Sequence, residues 1–258
     1  AVATAAGDIA NATVKTAGSV TLNVAGNLSE FSVQGSTAAL TAGGSITDTD
    51  AAVDVTAGAV TFDAQGGIGS AANRIGTSVD SVDVLKSLSA YFTESAGLTQ
   101  LDVTSTGDVA VATAAGDIAN ATVKTAGAVT LNSAGNLKTT SVEAGPSASL
   151  TAGLDISEFA VIADTAALTA GGSITDTDAA VDVTADGLTL TAQKGIGTGV
   201  AINTQVGQLT ATNNGMGDIA IGEADDLNLT GVSNQGSNID IRTPGSMTVT
   251  KSTLDPDL

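Results

Sequence analysis

Residues 138–156 read KTTSVEAGPSASLTAGLDI, and their placement decides the fold. Before them, the segment 110–137 (AVATAAGDIANATVKTAGAVTLNSAGNL) restates the segment 1–28 almost unchanged. Beyond them, LTAGGSITDTDAAVDVTA from Leu40 returns from Leu168. The second displacement exceeds the first by the length of the intervening stretch, which sits between GNL and the SEF that opens both following segments. An insertion this clean is one structural unit of a repeat architecture. The chain is thus one continuous solenoid over residues 1–258, internally duplicated as 1–109 and 110–258, with one extra coil near 138–156.

The same spacing recurs inside each copy. Gly7-Asp8-Ile9, Gly26-Asn27-Leu28 and Gly44-Ser45-Ile46 follow one another at a nearly constant interval, and Gly116-Asp117-Ile118, Gly135-Asn136-Leu137 and Gly172-Ser173-Ile174 play the same parts later. Each unit of roughly 18–22 residues turns on a corner of glycine, a polar residue and an aliphatic one. Within a unit the period is two: Val20, Leu22 and Val24 alternate with Thr21 and Asn23, the pattern of short strands broken by turn residues. Residues 82–91 (VDVLKSLSAY) admit a short helix but read better as strand. A unit this small cannot bury its own apolar face, but stacked units can, each strand pairing in parallel with its equivalent about 4.8 Å away. The expected fold is all-β: a right-handed parallel β-helix of about a dozen coils. The interval between corners is too long for the hexapeptide rhythm of a left-handed helix, and the lack of GGxGxD disfavours a calcium-binding β-roll. The clean insertion of a single unit disfavours a propeller, whose blades are about twice as long.

Composition agrees with a narrow, regular core. Hydrophobic residues make up 42% but aromatics only 2%, with no Trp, so the interior is filled by Ala, Val, Ile and Leu. The net charge is −19, which disfavours nucleic acid and anionic membrane as partners. There is no Cys and no apolar run approaching the roughly 20 residues of a membrane span. Residue 1 already stands inside a pattern that recurs, as in an excerpt or a processed chain.

The repeats resemble those of filamentous-haemagglutinin-like large exoproteins, the bacterial adhesins exported by two-partner secretion. The residues that carry the likeness are LTAGGSITD at Leu40 and Leu168, the GIG at Gly67-Ile68-Gly69 and Gly195-Ile196-Gly197, the spaced aliphatics Ile75, Val79, Val82 and Ile202, Val206, Leu209, and the segments opening at Glu94 and Glu223. The resemblance implies a β-helical shaft, a secreted or cell-surface location, an adhesive or matrix role, and cell-surface receptors or glycans as the kind of partner.

Candidate chemistry is sparse. Asp48, Asp50 and Asp54 recur as Asp176, Asp178 and Asp182. Strand residues two apart share a side, so Asp48 with Asp50, and Asp176 with Asp178, are the candidate ligands of a hard cation such as Ca²⁺; the plainer reading is a solvated acidic face. No other cofactor is expected. A hydrolase on this fold needs converging carboxylates with basic and aromatic residues to hold sugar. With no His, no Trp and one Tyr that equipment is missing, and Glu94 and Glu223 show no acid/base partner. The chain is therefore expected not to be an enzyme. Thr47 with Thr49, and Thr175 with Thr177, form the Thr-x-Thr pairs of ice-binding helices, but the motif does not recur in successive coils. Asn11-Ala12-Thr13 and Asn120-Ala121-Thr122 match the N-glycosylation pattern. Pro244 and Pro256 are expected to terminate pairing near the end of the chain. The functional expectation is a structural shaft segment of an extracellular adhesin or surface fibre, with an end-to-end self-assembling filament or matrix subunit as the alternative.

Overall fold

In a computed structural model, which describes residues 2–236 and 238–250, the chain is a parallel β-solenoid of about twelve turns. The described residues form 28 short strands in one continuous sheet system, and every pairing among them is parallel. The described residues contain no helix; residues 82–86 fall in the strand Ser81–Lys86 and 89–91 in the strand Ser89–Glu94, with a bend between them. One turn leads from Val20 to Ala38, the next, which is longer, from Ala38 to Val60, and a later one of intermediate length from Val82 to Leu101. Leu137 pairs with Ile118 below and with Ile156 above, so residues 138–156 occupy one turn.

Period-two alternation becomes an interior of aligned columns. Leu22, Leu40, Phe62, Val84, Val103, Val123, Val142, Val161 and Val183 lie one above another through successive pairings, each at 2% exposure or less. Stacking like on like explains the aliphatic composition, because a neighbour of similar shape in the next turn fills each gap. Two of the few aromatics, Phe62 and Phe92, meet at a centroid distance of 5.1 Å.

The corners have a physical reason for their composition. The polar residue after the glycine reaches along the axis and accepts a hydrogen bond from the backbone N–H of its counterpart in the next turn. Asp8 Oδ1 accepts from Asn27 N at 2.7 Å and Asn27 Oδ1 from Ser45 N at 2.8 Å. The second copy extends the staircase: Asp117 accepts from Asn136 N at 2.8 Å, Asn136 from Asp155 N at 3.0 Å, and Asp155 from Ser173 N at 2.7 Å. A short Asx side chain satisfies turn backbone that the ladder leaves open. Asn136→Ala removes both the acceptor for Asp155 N and the side-chain amide bond to Asp117; a loss of about 1 kcal/mol is expected, read as a lower Tm by thermal melt. The GIG motif has a similar explanation. Gly69 (φ +62°) and Gly197 (φ +66°) sit in left-handed conformation, where a Cβ would lie 2.6 Å from Tyr91 O and 2.1 Å from Ala220 O respectively.

Pro244 does not end the pairing. It lies in the bend after the strand Ile239–Arg242, and the next strand, Met247–Val249, still pairs with Leu227, Asn228 and Leu229. A corner needs no ladder N–H at that position, so proline is tolerated there. Pro256 lies outside the described residues.

Candidate functional site: two carboxylate loops and two interior glutamates

Leu28 and Val33 are five positions apart, yet their partners in the next turn, Ile46 and Val55, are nine apart. The surplus bulges outward as the loop 48–54. In the second copy Val161 pairs with Val183 while Ile156 pairs with Ile174, and residues 176–182 form the same loop. Each loop is held by its own aspartates: Asp48 Oδ2 accepts from Asp50 N (2.8 Å) and Asp50 Oδ1 from Ala52 N (2.6 Å), and Asp176 and Asp178 accept in the same way from Asp178 N and Ala180 N. The last aspartate of each loop carries the ladder across to the next turn. Asp54 Oδ2 accepts from Gly76 N (2.8 Å) while Asp54 N donates to Gly76 O, and Asp182 does the same with Asn203.

The outcome differs from a plain solvated face. Asp48, Asp54, Asp176 and Asp182 are buried, and only Asp50 and Asp178 are exposed. The loop main chain lies close against the next turn; at Gly76 a Cβ would lie 2.1 Å from Ala52 O. One carboxylate oxygen from each of Asp48, Asp50 and Asp54 lies within 4.8 Å of the others, and the same holds for Asp176, Asp178 and Asp182. That separation suits three oxygens facing one hard cation. The sequence pairs Asp48–Asp50 and Asp176–Asp178 are thus brought together, but Asp54 and Asp182 complete each group.

Burial and the neighbouring negative charges shift these groups. Asp54 and Asp182 are pushed up to about 7, chiefly by desolvation and then by the aspartates beside them, against the lowering effect of the backbone N–H of Gly76 and Asn203. Asp48 and Asp176 are raised for the same first reason, with Glu30 and Glu158 adding repulsion. Those two glutamates occupy bulge positions at φ 49° and 50°. A folded-state value raised above the ordinary 3.8 means that the native chain binds protons between about pH 4 and 7 that the unfolded chain does not. The contribution to stability is therefore full below about pH 4 and is lost as the pH rises through about 7. Asp54→Asn and Asp182→Asn keep an acceptor for the N–H but carry no charge. Each is expected to raise stability at pH 8 by about 1–2 kcal/mol and to change little below about pH 4; melts at pH 8 and at about pH 3.5 check this.

Glu94 and Glu223 are neither surface groups nor isolated. Both stand inside the solenoid, at 0% and 4% exposure, in columns that climb through the same residue types: Val33, Val55, Thr77, Glu94 in one copy and Val161, Val183, Thr204, Glu223 in the other. Glu223 accepts from Thr204 Oγ1 (2.7 Å), Val206 N (3.1 Å) and Ala224 N (2.9 Å). Glu94 accepts from Val79 N (3.1 Å), Ala96 N (3.0 Å) and Ser95 Oγ (3.2 Å). Each carboxyl closes a corner from within and accepts from backbone N–H groups there, Val79 N and Ala96 N for Glu94 and Val206 N and Ala224 N for Glu223. Sequence reasoning noticed both glutamates but missed this role; the signal was that each follows a threonine, Thr77 or Thr204, by about one turn.

The remaining sequence candidates fall apart. Thr47 ends a strand whereas Thr49 lies in the loop, and Thr177 Oγ1 donates to Glu158 (3.1 Å), so neither Thr-x-Thr pair presents a strand face. Asn120 is exposed but donates its amide to Thr99 O (2.9 Å), and Asn11 sits at φ 57° in a bulge.

Comparison with protein-family models, curated proteins and solved structures finds no match to this chain. The fold therefore stands on the pairings described above.

Proposed function

We propose that this chain is a non-catalytic shaft segment of a secreted bacterial adhesin or surface fibre, related to the haemagglutinin-like exoproteins whose repeats it resembles. The observation that supports this reading most is the unbroken parallel ladder, which runs through about twelve turns while insertions such as 48–54 are absorbed as outward loops. A rod of that many turns spans about 60 Å at the strand spacing, and such a scaffold lengthens by adding turns without redesign of its core. The acidic surface opposes collapse of neighbouring rods at low ionic strength. Receptors or glycans would be met by parts of the surface with groups to hold them.

The test is negative-stain electron microscopy of the purified chain over a concentration series, with antibody labelling of intact producing cells. Isolated rods of about 60 Å and surface labelling are expected. Fibres many times longer would instead support the self-assembling filament reading. Labelling only after cell lysis would overturn the surface assignment.

A further inference from the structure

The dipeptide Asn-Gly occurs once in the chain, at Asn214-Gly215, and the fold places it at a corner. The strand Ile202–Asn213 ends immediately before it, and the strand Ile219–Glu223 begins shortly after. The two adjacent asparagines meet different surroundings. Asn213 is fully buried, and its amide donates to Gly215 O (3.0 Å), Gly217 O (3.2 Å) and Asn234 Oδ1 (2.8 Å). Asn214 is exposed. Its backbone N–H donates to Ala192 O in the turn below (2.9 Å). Among the described residues, however, its side-chain amide has no hydrogen-bond partner, and neither has the backbone N–H of Gly215. Met216, the next residue, is 85% exposed, so solvent reaches the tip of this corner.

The two unbonded groups are an electrophile and a nucleophile one ring closure apart. Once Gly215 N loses its proton to solvent base, it attacks Asn214 Cγ. A five-membered succinimide forms as the Cγ–Nδ2 bond breaks and ammonia leaves. Water then opens the ring. Opening at Cγ gives aspartate, whereas opening at the main-chain carbonyl gives isoaspartate, whose backbone runs through Cγ and is one methylene longer. Glycine in the second position leaves no Cβ to crowd the ring, whereas an N–H held in a ladder is withdrawn from such chemistry. That separates this site from its rivals. Asn132 precedes Ser133 inside a strand paired on both sides. Asp186-Gly187 could close the same ring with loss of water, but the Gly187 N–H is donated to Asp164 O (3.3 Å). The corner has no room for a longer backbone. A Cβ at Gly215 would already lie 2.1 Å from Gln193 O, and the Asn214 N–H bond to Ala192 O below and the Gln235 N–H bond to Asn213 O above (3.0 Å) fix the chain on both sides.

We propose that Asn214 is a self-modification site, converted to aspartate and isoaspartate through attack by Gly215 N, and that the isoaspartate form loosens the turns that follow. The experiment stores the full chain and its Asn214→Gln variant in neutral and in mildly alkaline buffer, after circular dichroism has shown both to be folded. A free peptide of residues 211–218 gives the unconstrained rate. Peptide mass mapping, labelling by an isoaspartyl methyltransferase, thermal melts and hydrogen exchange follow the samples over weeks. In the wild type, the mass gain of an amide-to-acid exchange is expected at Asn214 ahead of every other amide. It should run faster in the alkaline buffer, at a rate comparable to the peptide's, and yield a methylatable product. The aged chain should show a lower Tm and faster exchange in the strand Ile239–Arg242. Asn214→Gln should show neither change, because its ring would have six members and the side chain it replaces holds no bond. A folded chain that stays intact at Asn214 while the peptide converts would overturn the proposal, and so would aspartate formed without isoaspartate. An isoaspartate-bearing chain that melts and exchanges like the fresh one would overturn the loosening of the later turns.

Discussion

Replacing Glu223 by leucine is expected to destabilise the solenoid by about 3–5 kcal/mol, although leucine fills much the same volume and is more apolar. The usual preference for an apolar core fails here because the carboxyl is the acceptor for Val206 N, Ala224 N and Thr204 Oγ1. Its removal takes the acceptor from Val206 N and Thr204 Oγ1, both on buried residues, and each unsatisfied group costs about 1–3 kcal/mol; Ala224 N keeps its bond to Thr204 O. Glu223→Gln keeps one oxygen and should lie between. The threonines below the two glutamates provide an internal control. Thr204→Val breaks the 2.7 Å bond to Glu223 and should cost about 1 kcal/mol. Thr77 Oγ1 is buried without a partner, so Thr77→Val should be neutral or mildly stabilising. Thermal or urea unfolding of the four variants gives the ranking, and hydrogen exchange at Val206 and Ala224 shows whether the corner opens first. Equal effects of Thr77→Val and Thr204→Val would sink this account of the columns.

Deletion of residues 138–156 is expected to leave a folded rod one turn shorter, whereas deletion of residues 147–156 alone should abolish folding. The complete deletion joins Leu137 to Ser157 and recreates pairings already present in the first copy. Ala121 would meet Phe159 as Ala12 meets Phe31, and Leu131 would meet Leu168 as Leu22 meets Leu40. The losses are the Lys138–Asp117 and Lys124–Glu143 ion pairs, largely exposed and worth about 0–1 kcal/mol each. The partial deletion removes Ala148, Leu150, Ala152 and Ile156 from their columns and forces the following strand out of register, which turns apolar groups outward. Circular dichroism and sedimentation separate the outcomes: β-signal with a cooperative melt for the first, aggregation or a disordered spectrum for the second.

Much of this architecture is legible in the residues themselves. The corner triplets give the length of a turn, because a glycine recurs where the chain bends tightly and an Asx side chain recurs where a backbone N–H needs an acceptor. The alternation in Val20, Leu22 and Val24 gives the strand, and the insertion at 138–156 shows that one turn is separable. Pro244 misled because the sequence does not say whether a proline stands in a ladder or at a corner.

What the sequence by itself determined is therefore the local unit and the fact of its stacking, since both follow from periodicities that a single unit and its neighbour display. The tertiary structure alone decided which side chains share a column. Turns vary in length, the one from Val20 to Ala38 being shorter than the one from Ala38 to Val60. Alignment across the axis thus depends on how each loop takes up its surplus, and that is settled by pairing between turns. For this reason Glu94 and Glu223 fell inside the rod, Asp54 and Asp182 were buried where their loops rejoin the ladder, and the threonines of four dissimilar repeats came into line in one column.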